Sequence, residues 1–328
     1  MADKVRIGLI GCGGIANHHV HQLMEIPEAE IVALNDTSSE SIARMKERFP
    51  QLKNVPVFDD YKEMIDKVEM DAVEISTPHT LHFQEAMDCM DKGLHILIEK
   101  PMVCKVQHAK KLMAKQEETN RIVVLSYQRH FIPQFMYIKQ IVDNGQIGDI
   151  TYVAALQCQN WKKAVAGTWR QIPELSGGGQ LNDSGSHLID IILWITGLAV
   201  EEVFAKVDNC GTPVDINSAL TIKFKNGAQG TVSVIGESPT WHEDFTIWGT
   251  EGVIFYRNGT LTQFDAMGQA VEITEMPCAS NPDINFVGAI LNGDKVMSPT
   301  IGGLRVIELT EAAWKSGEIN SPVKVANL

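Results

Sequence analysis

The chain has 328 residues, 44% hydrophobic and 21% charged, with a formal net charge of −13; that length suggests two domains, and that acidity excludes a nucleic-acid phosphate footprint or an anionic membrane partner. No run of eighteen apolar residues predicts a transmembrane helix, and the opening MADKVRIGLIGCGG lacks the three-part pattern of a signal peptide. Six cysteines (Cys12, Cys89, Cys104, Cys158, Cys210, Cys278) form no C-x-x-C pair, so neither zinc nor a disulfide framework is indicated, and the expectation is a cytoplasmic protein.

In chain order, short apolar runs at 5–10, 30–35, 72–76, 95–98 and 122–126 alternate with helical periodicity at 15–24, 39–49, 79–92 and 106–119. This alternation predicts an α/β domain, a doubly wound parallel sheet with helices on both faces, over 1–126. From 127 to 328 the character changes. A helix at 133–144 is followed by alternating strands at 151–159, 219–225, 229–235 and 244–248, and a helix at 302–316 lies near the end. Asn226-Gly227 marks a tight hairpin turn, so the second domain is expected to carry an open antiparallel or mixed sheet.

The segment after the first strand reads Gly11-Cys12-Gly13-Gly14-Ile15-Ala16. In that strand-to-helix context it fits G-x-G-x-x-A: Gly11 for a tight turn, Gly13 and Gly14 with Ile15 beside a pyrophosphate, Ala16 for close packing. Asp36, twenty residues past Ala16, suits the adenosine ribose hydroxyls and repels a 2′-phosphate, so NAD is favoured over NADP; a turn or cap role is its alternative. Ser76, Thr77, Pro78 and His79 follow the third of these runs, at a carboxyl end where such sheets bind ligands, and are assigned to the nicotinamide side. His82 reads as structural. His18, His19 and His21 fall too close together for a closed metal site and read as a polar helix face.

GGGQLNDSGSHLIDIILWITG, residues 177–197, carries Asp183 and His187 four residues apart. At a helix start they would share one face, and a carboxylate beside an imidazole favours proton exchange near neutral pH. The alternative is a capping aspartate and a satisfied, half-buried histidine. The glycines before them would let a ligand approach the backbone. Asp190 could join Asp183 around a metal, but one histidine and two carboxylates are poor evidence and no metal is assigned. Trp161, Lys162, Lys163, Thr168, Trp169 and Arg170 precede the glycines as a loop. Indole faces suit sugars, and Arg and Lys suit hydroxyls or carboxylates; alternatively Trp169 plugs the domain junction and Arg170 makes an ion pair. Gln128 and Arg129 are candidates for substrate or interdomain contact.

GLIGCGGIA, TPHTLHFQEAMDCMDKGLHILIEKP and GGGQLNDSGSHLID, in this order, resemble the Gfo/Idh/MocA family of glucose–fructose oxidoreductase, inositol dehydrogenase and relatives. QRHF and RVIELTEAAWKSG extend the resemblance over the whole chain. It implies an N-terminal Rossmann domain and a C-terminal α/β domain on a large open sheet that commonly forms the oligomer interface, giving a dimer or tetramer. Lys100 matches the family lysine, Asp183 its aspartate and His187 its histidine, with Glu99 and Lys100 also on the cofactor side and an often cis bond before Pro101. The activity implied is hydride transfer between NAD and a secondary alcohol of a sugar or polyol. His187 would be the general base, Asp183 its orienter and Lys100 the stabiliser of the same oxygen. Two other readings are an NAD-retaining, redox-assisted glycosidase and a catalytically silent NAD-binding regulator.

Overall fold

A computed structural model describes residues 4–325; the first and last three residues, within the expected domain spans and the opening segment, lie outside the described residues. The chain divides into two compact units. One holds the chain up to Val103, then Gln107–Gln128 and Ser280–Gly303, and the other holds Cys104–Val106, Arg129–Ala279 and the remainder from Leu304.

The first unit runs β1 (Val5–Ile10), α1 (Gly14–Met24), β2 (Ala29–Asn35), α2 (Ser39–Arg48), β3 (Val57–Phe58), α3 (Tyr61–Lys67), β4 (Ala72–Ile75), α4 (His82–Asp91), β5 (His95–Ile98), α5 (Val106–Thr119) and β6 (Val123–Leu125). Its six strands lie in the order β3-β2-β1-β4-β5-β6, all parallel. β4 and β6 are buried at every position, as strands covered on both faces must be. The order reverses between β1 and β4, which opens a crevice at their carboxyl ends. β3 and α3 have no counterpart in the expected elements: a two-residue strand is too short to show a period. α3 is announced only by its cap, Asp60, whose carboxylate accepts the Lys62 N–H at 2.8 Å.

The second unit carries α6 (Pro133–Asp143), β7 (Ile150–Cys158), α7 (Trp161–Ala164), α8 (Pro173–Ser176), α9 (Gly185–Thr196), β8 (Val200–Asp208), β9 (Asn217–Phe224), β10 (Gln229–Ile235), β11 (His242–Gly249), β12 (Gly252–Arg257), β13 (Thr260–Asp265) and β14 (Ala270–Val271). With β15 (Val323–Lys324) they build a nine-stranded sheet, β14-β13-β12-β11-β7-β10-β9-β8-β15. Only β7 and β10 pair in parallel; the other pairs are antiparallel. The Asn226-Gly227 turn joins β9 to β10: Gly227 has φ +90°, and Asn226 Oδ1 accepts the Ala228 N–H at 3.0 Å. β9 alternates buried and outward residues along its length, so one face packs and the other looks away. α9 is buried on nearly every side, with Leu188, Ile189, Ile191, Ile192, Leu193 and Ile195 all 3% exposed or less.

A single change of domain near 126 leaves out one return of the chain. α10 (Pro282–Asn292) belongs to the first unit, because Phe286 and Val287 are buried in the same core as Val5, Leu9, Val20, Leu97 and Val124. The last helix, α11, spans Thr300–Ile319, longer at both ends than its periodicity predicts.

Candidate functional site

The cofactor end is built where β1, β2, β4 and β5 stop. Gly11 has φ +94°, and a Cβ there would come within 2.8 Å of the Ser76 backbone, so the β1 and β4 ends touch main chain to main chain. At Gly13 and Gly14 an added Cβ would meet nothing within 4 Å. Bare backbone therefore faces open space at the head of α1, whose first turn receives no capping side chain. Ile15 lies in that first turn, and Ala16 is 1% exposed against the core. These features fit a dinucleotide pyrophosphate. The Asp36 carboxylate accepts the Cys12 N–H at 2.8 Å and the Ser38 N–H at 2.7 Å. It thus serves the turn as well, and two such bonds leave lone pairs for ribose hydroxyls.

Beyond β4, the Thr77 hydroxyl donates to Glu85 Oε2 at 2.5 Å. His82, fully buried, places its ring nitrogens 3.0 Å from the Thr77 carbonyl and 2.9 Å from the Pro101 carbonyl. Burial keeps this ring below its ordinary pKa, and a neutral imidazole has one N–H, so one of the two contacts is the hydrogen bond. His82 thus lies between the loop after β4 and the loop after β5, hydrogen-bonded to one of them. His79, 4% exposed, meets the His82 ring edge-on at 5.8 Å, and the Pro78 carbonyl accepts the Leu81 N–H at 3.0 Å. Glu85 was not among the expected site residues. Burial, with Asp88 adding to it against the Thr77 bond, pushes its carboxyl up to about 7.

After β5 comes Glu99, 7% exposed. One carboxylate oxygen meets His19 Nε2 at 3.1 Å, and the other accepts the Lys100 N–H at 3.2 Å. Burial works to raise this carboxyl, yet the His19 hydrogen bond and charge, with Lys100, bring it down to about 2. The Lys100–Pro101 peptide is cis. His19 corrects the polar-face reading of the three histidines. His18 and His21 are exposed, whereas His19 is 1% exposed among Glu74, Glu99 and Asp283. The signal lay in the spacing: Ala16, His19, Val20 and Leu23 form the buried face of α1.

In the second unit, α9 begins at Gly185 with Ser184 as its cap residue. Asp183 therefore precedes the helix and does not cap it, while His187 stands in its first turn. Asp183, 5% exposed, accepts from the Trp161 indole at 2.8 Å and from Arg170 Nε at 3.1 Å, both on Oδ2. Trp161 is packed among Val214 and Ile216 and is not an open stacking platform. Arg170 makes the ion pair that was its alternative reading, and its guanidinium also lies 4.5 Å over the ring of half-exposed Trp169. Lys162 pairs with Glu237 at 2.8 Å. The expected loop is helical in pieces: α7, a 3₁₀ turn at Trp169–Gln171 and α8.

The glycine run has another purpose than exposure. A Cβ on Gly178 would strike Trp314 at 2.4 Å, and one on Gly179 would strike the Asp215 carbonyl at 2.0 Å. The Asp215 carboxylate accepts the N–H groups of Gly179 and Leu181, each at 2.8 Å, and the Trp314 indole at 3.0 Å. Asp215 was missed because it lies 36 residues from the loop it pins. Asp190 is engaged by His130 Nε2 at 2.7 Å, and Arg129 pairs with Glu243. Gln128 opens the 3₁₀ turn Gln128–Phe131, half-buried.

Residues 5–127 match the model of an oxidoreductase family with an NAD-binding Rossmann fold, and residues 135–255 match the GFO/IDH/MocA C-terminal domain. The protein belongs to the Gfo/Idh/MocA family of oxidoreductases. Its first unit is an NAD-binding Rossmann domain, and it is a dehydrogenase. It is 27% identical to the scyllo-inositol 2-dehydrogenase (NAD(+)) of Bacillus subtilis, covering 83% of this chain and 80% of that one. With the myo-inositol 2-dehydrogenase of Thermotoga maritima the identity is 26%, over 77% and 75% of the two chains. Among solved structures, levoglucosan dehydrogenase in complex with NADH shares the fold at a TM-score of 0.88 and 22% identity, over 99% of this chain and 100% of that one. WlbA dehydrogenase from Bordetella pertussis, in complex with NADH and UDP-GlcNAcA, shares it at 0.85 and 21%, over 99% and 98%. Among the described residues, no helix is long and apolar enough to cross a membrane.

Proposed function

We propose that the protein oxidises a secondary alcohol of a sugar, polyol or derivative with NAD, His187 acting as general base, Asp183 as its orienter and Lys100 as the donor to the reacting oxygen. The observation that carries this reading is the anchoring of Asp183. Two donors from the segment before the glycine run, Trp161 and Arg170, converge on one of its oxygens at the head of the helix bearing His187. A carboxylate so fixed can set the orientation of an imidazole and favour its protonated form as the hydroxyl proton is taken. Lys100 follows a glutamate that holds its backbone N–H, and its ammonium stabilises the charge developing on the oxygen.

Gly11, Gly13, Gly14, Ile15 and Ala16 would hold the pyrophosphate, Asp36 the ribose, and Ser76, Thr77, Pro78, His79 and Glu99 the ground beside the nicotinamide. NAD supplies the hydride acceptor. Gln128, Trp169 and Arg170 are the proposed substrate contacts. The substrate class is supported by the relatives named as inositol and glucoside dehydrogenases, which favour this reading over a glycosidase or a silent regulator. The reading includes a homo-oligomer formed through the outward face of the nine-stranded sheet.

Absorbance at the NADH band over a panel of sugars, inositols and sugar acids, with NAD and NADP in parallel, tests this reading. NADH should accumulate on at least one of them, and a clear NADP preference would contradict the role of Asp36. Lys100→Ala and His187→Asn should each lower turnover by about 10²–10⁴-fold while NADH still binds. Near-normal turnover in either variant removes that residue from the mechanism.

A further inference from the structure

We infer that His19 is a permanently charged imidazolium, enclosed by three carboxyl groups, that positions Lys100 by clamping Glu99; this rests on the reading of Lys100 as a catalytic residue. His19 projects from α1 into the interior of the first unit. Its Nδ1 is 3.1 and 3.0 Å from the two carboxylate oxygens of Asp283, on α10. Its Nε2 is 3.1 Å from Glu99 Oε1, after β5, and 3.4 Å from the Ser126 hydroxyl, after β6. Glu74, on β4, approaches Nδ1 to 3.9 Å, and the His18 ring on the same helix lies 6.3 Å away.

The protonation pattern follows from donor counting. A neutral imidazole offers one N–H and would turn a lone pair toward a carboxylate on its other side. With carboxylates at both nitrogens, both must carry hydrogen. Glu74 is 2% exposed, and among the described residues neither of its oxygens has a hydrogen-bond donor, a position an ionised carboxylate cannot hold at reasonable energy. Glu74 therefore keeps its proton, and the imidazolium sits between the carboxyl groups of Asp283 and Glu99. Against the effect of burial, Asp283 and the Glu99 hydrogen bond act to raise His19 above its ordinary value, and Glu74 is raised by burial and by Asp283.

The clamp reaches the active region through a single residue. With Glu99 Oε1 held by His19, Oε2 accepts the Lys100 N–H, so the backbone that launches the lysine is fixed from beneath. The return of the chain at 280–303 thereby gains a role, since α10 brings Asp283, 0% exposed, to the far side of the imidazolium. His19, Asp283 and Glu99 are positioning residues and touch no substrate.

The test combines spectroscopy with kinetics on the full chain. In ¹⁵N-histidine NMR, with the resonance assigned by its loss in His19→Gln, both ring nitrogens should read as protonated from pH 6 to pH 9. Asp283→Asn should bring His19 into titration within that range. Glu74→Gln, which mimics a neutral acid, should leave the resonance and the melting temperature unchanged. His19→Gln should lower kcat by about tenfold or more with NADH affinity within about twofold, and the double variant with Lys100→Ala should be no slower than Lys100→Ala alone. A neutral tautomer at pH 7, additive losses in the double variant, or a stoichiometric divalent cation in the purified protein overturns the proposal. Near-normal turnover of Lys100→Ala removes the lysine's role and the positioning role with it, while the charge on His19 is judged separately by its resonance.

Discussion

At the scale of single residues, glycines with the same letter do opposite work. Gly13 has φ −76° and open space where a Cβ would stand, so Gly13→Ala should change stability by less than about 0.5 kcal/mol. The methyl would nevertheless occupy the path of the pyrophosphate, and titration with NADH should show an affinity loss of about tenfold or more. Gly179→Ala should do the reverse. Its methyl cannot avoid the Asp215 carbonyl at 2.0 Å, and urea denaturation should show a loss of about 3 kcal/mol or more, if the variant folds. A motif reading sees two glycine-rich stretches and assigns both to a ligand; only the packing partners tell them apart.

Glu85 carries a pH dependence that its sequence neighbours do not announce. Its carboxyl, raised by burial to about 7 in the folded chain, returns to about 4.3 when unfolded. Between these values the native state binds more protons than the unfolded one, so this contribution to stability is fully present below the lower value and is lost as pH rises through the higher. The loss is on the order of a few kcal/mol. Denaturation across pH 4 to 8 should show a shallower decline for Glu85→Gln than for the parent chain, and an unchanged slope would mean that Glu85 is ionised throughout.

At the scale of elements, legibility followed local pattern more than length, since four-residue β5 was read and nine-residue β8 was not. β1, β5, α5 and β10 fall at their predicted bounds, because each is either a full apolar run or a clean amphipathic period. β3, two residues long, and β8, β12, β13, β14 and β15 had no expected counterpart. α10 also had no expected counterpart, and its residues fell within the expected second domain because chain order says nothing of which core an amphipathic face will join. Phe286, 0% exposed in the first unit's core, decides it. Phe286→Ala should lower stability by about 3–5 kcal/mol, measured by urea denaturation. If α10 also delivers Asp283, the same variant should release His19 from its imidazolium resonance.

At the scale of the whole molecule, the nine-stranded sheet gives the oligomer proposal its physical content. Its outward strand positions include Ala219, Ser233 and Ile235, which line a cavity of about 460 Å³ with Lys206 and Asp208. Light scattering should find a multiple of the 36.2 kDa chain mass, and Ala219→Glu should shift it toward that single mass. A monomeric parent chain would remove the proposal.

The sequence by itself determined the class of fold, the family and the residues proposed to carry the chemistry. Each of these is written in local periodicity or in motifs of a few adjacent residues: GCGGIA after a strand, EKP at the end of another, DSGSH before an apolar run. Tertiary structure decided what each of those residues is held by. The donors on Asp183, the carboxylate beneath the glycine run and the groups around His19 come from segments 13 to 264 residues away. Helical spacing can mark a side chain such as His19 as buried, but its hydrogen-bond partners from distant segments are met only when the backbone closes on itself, and no local pattern encodes them.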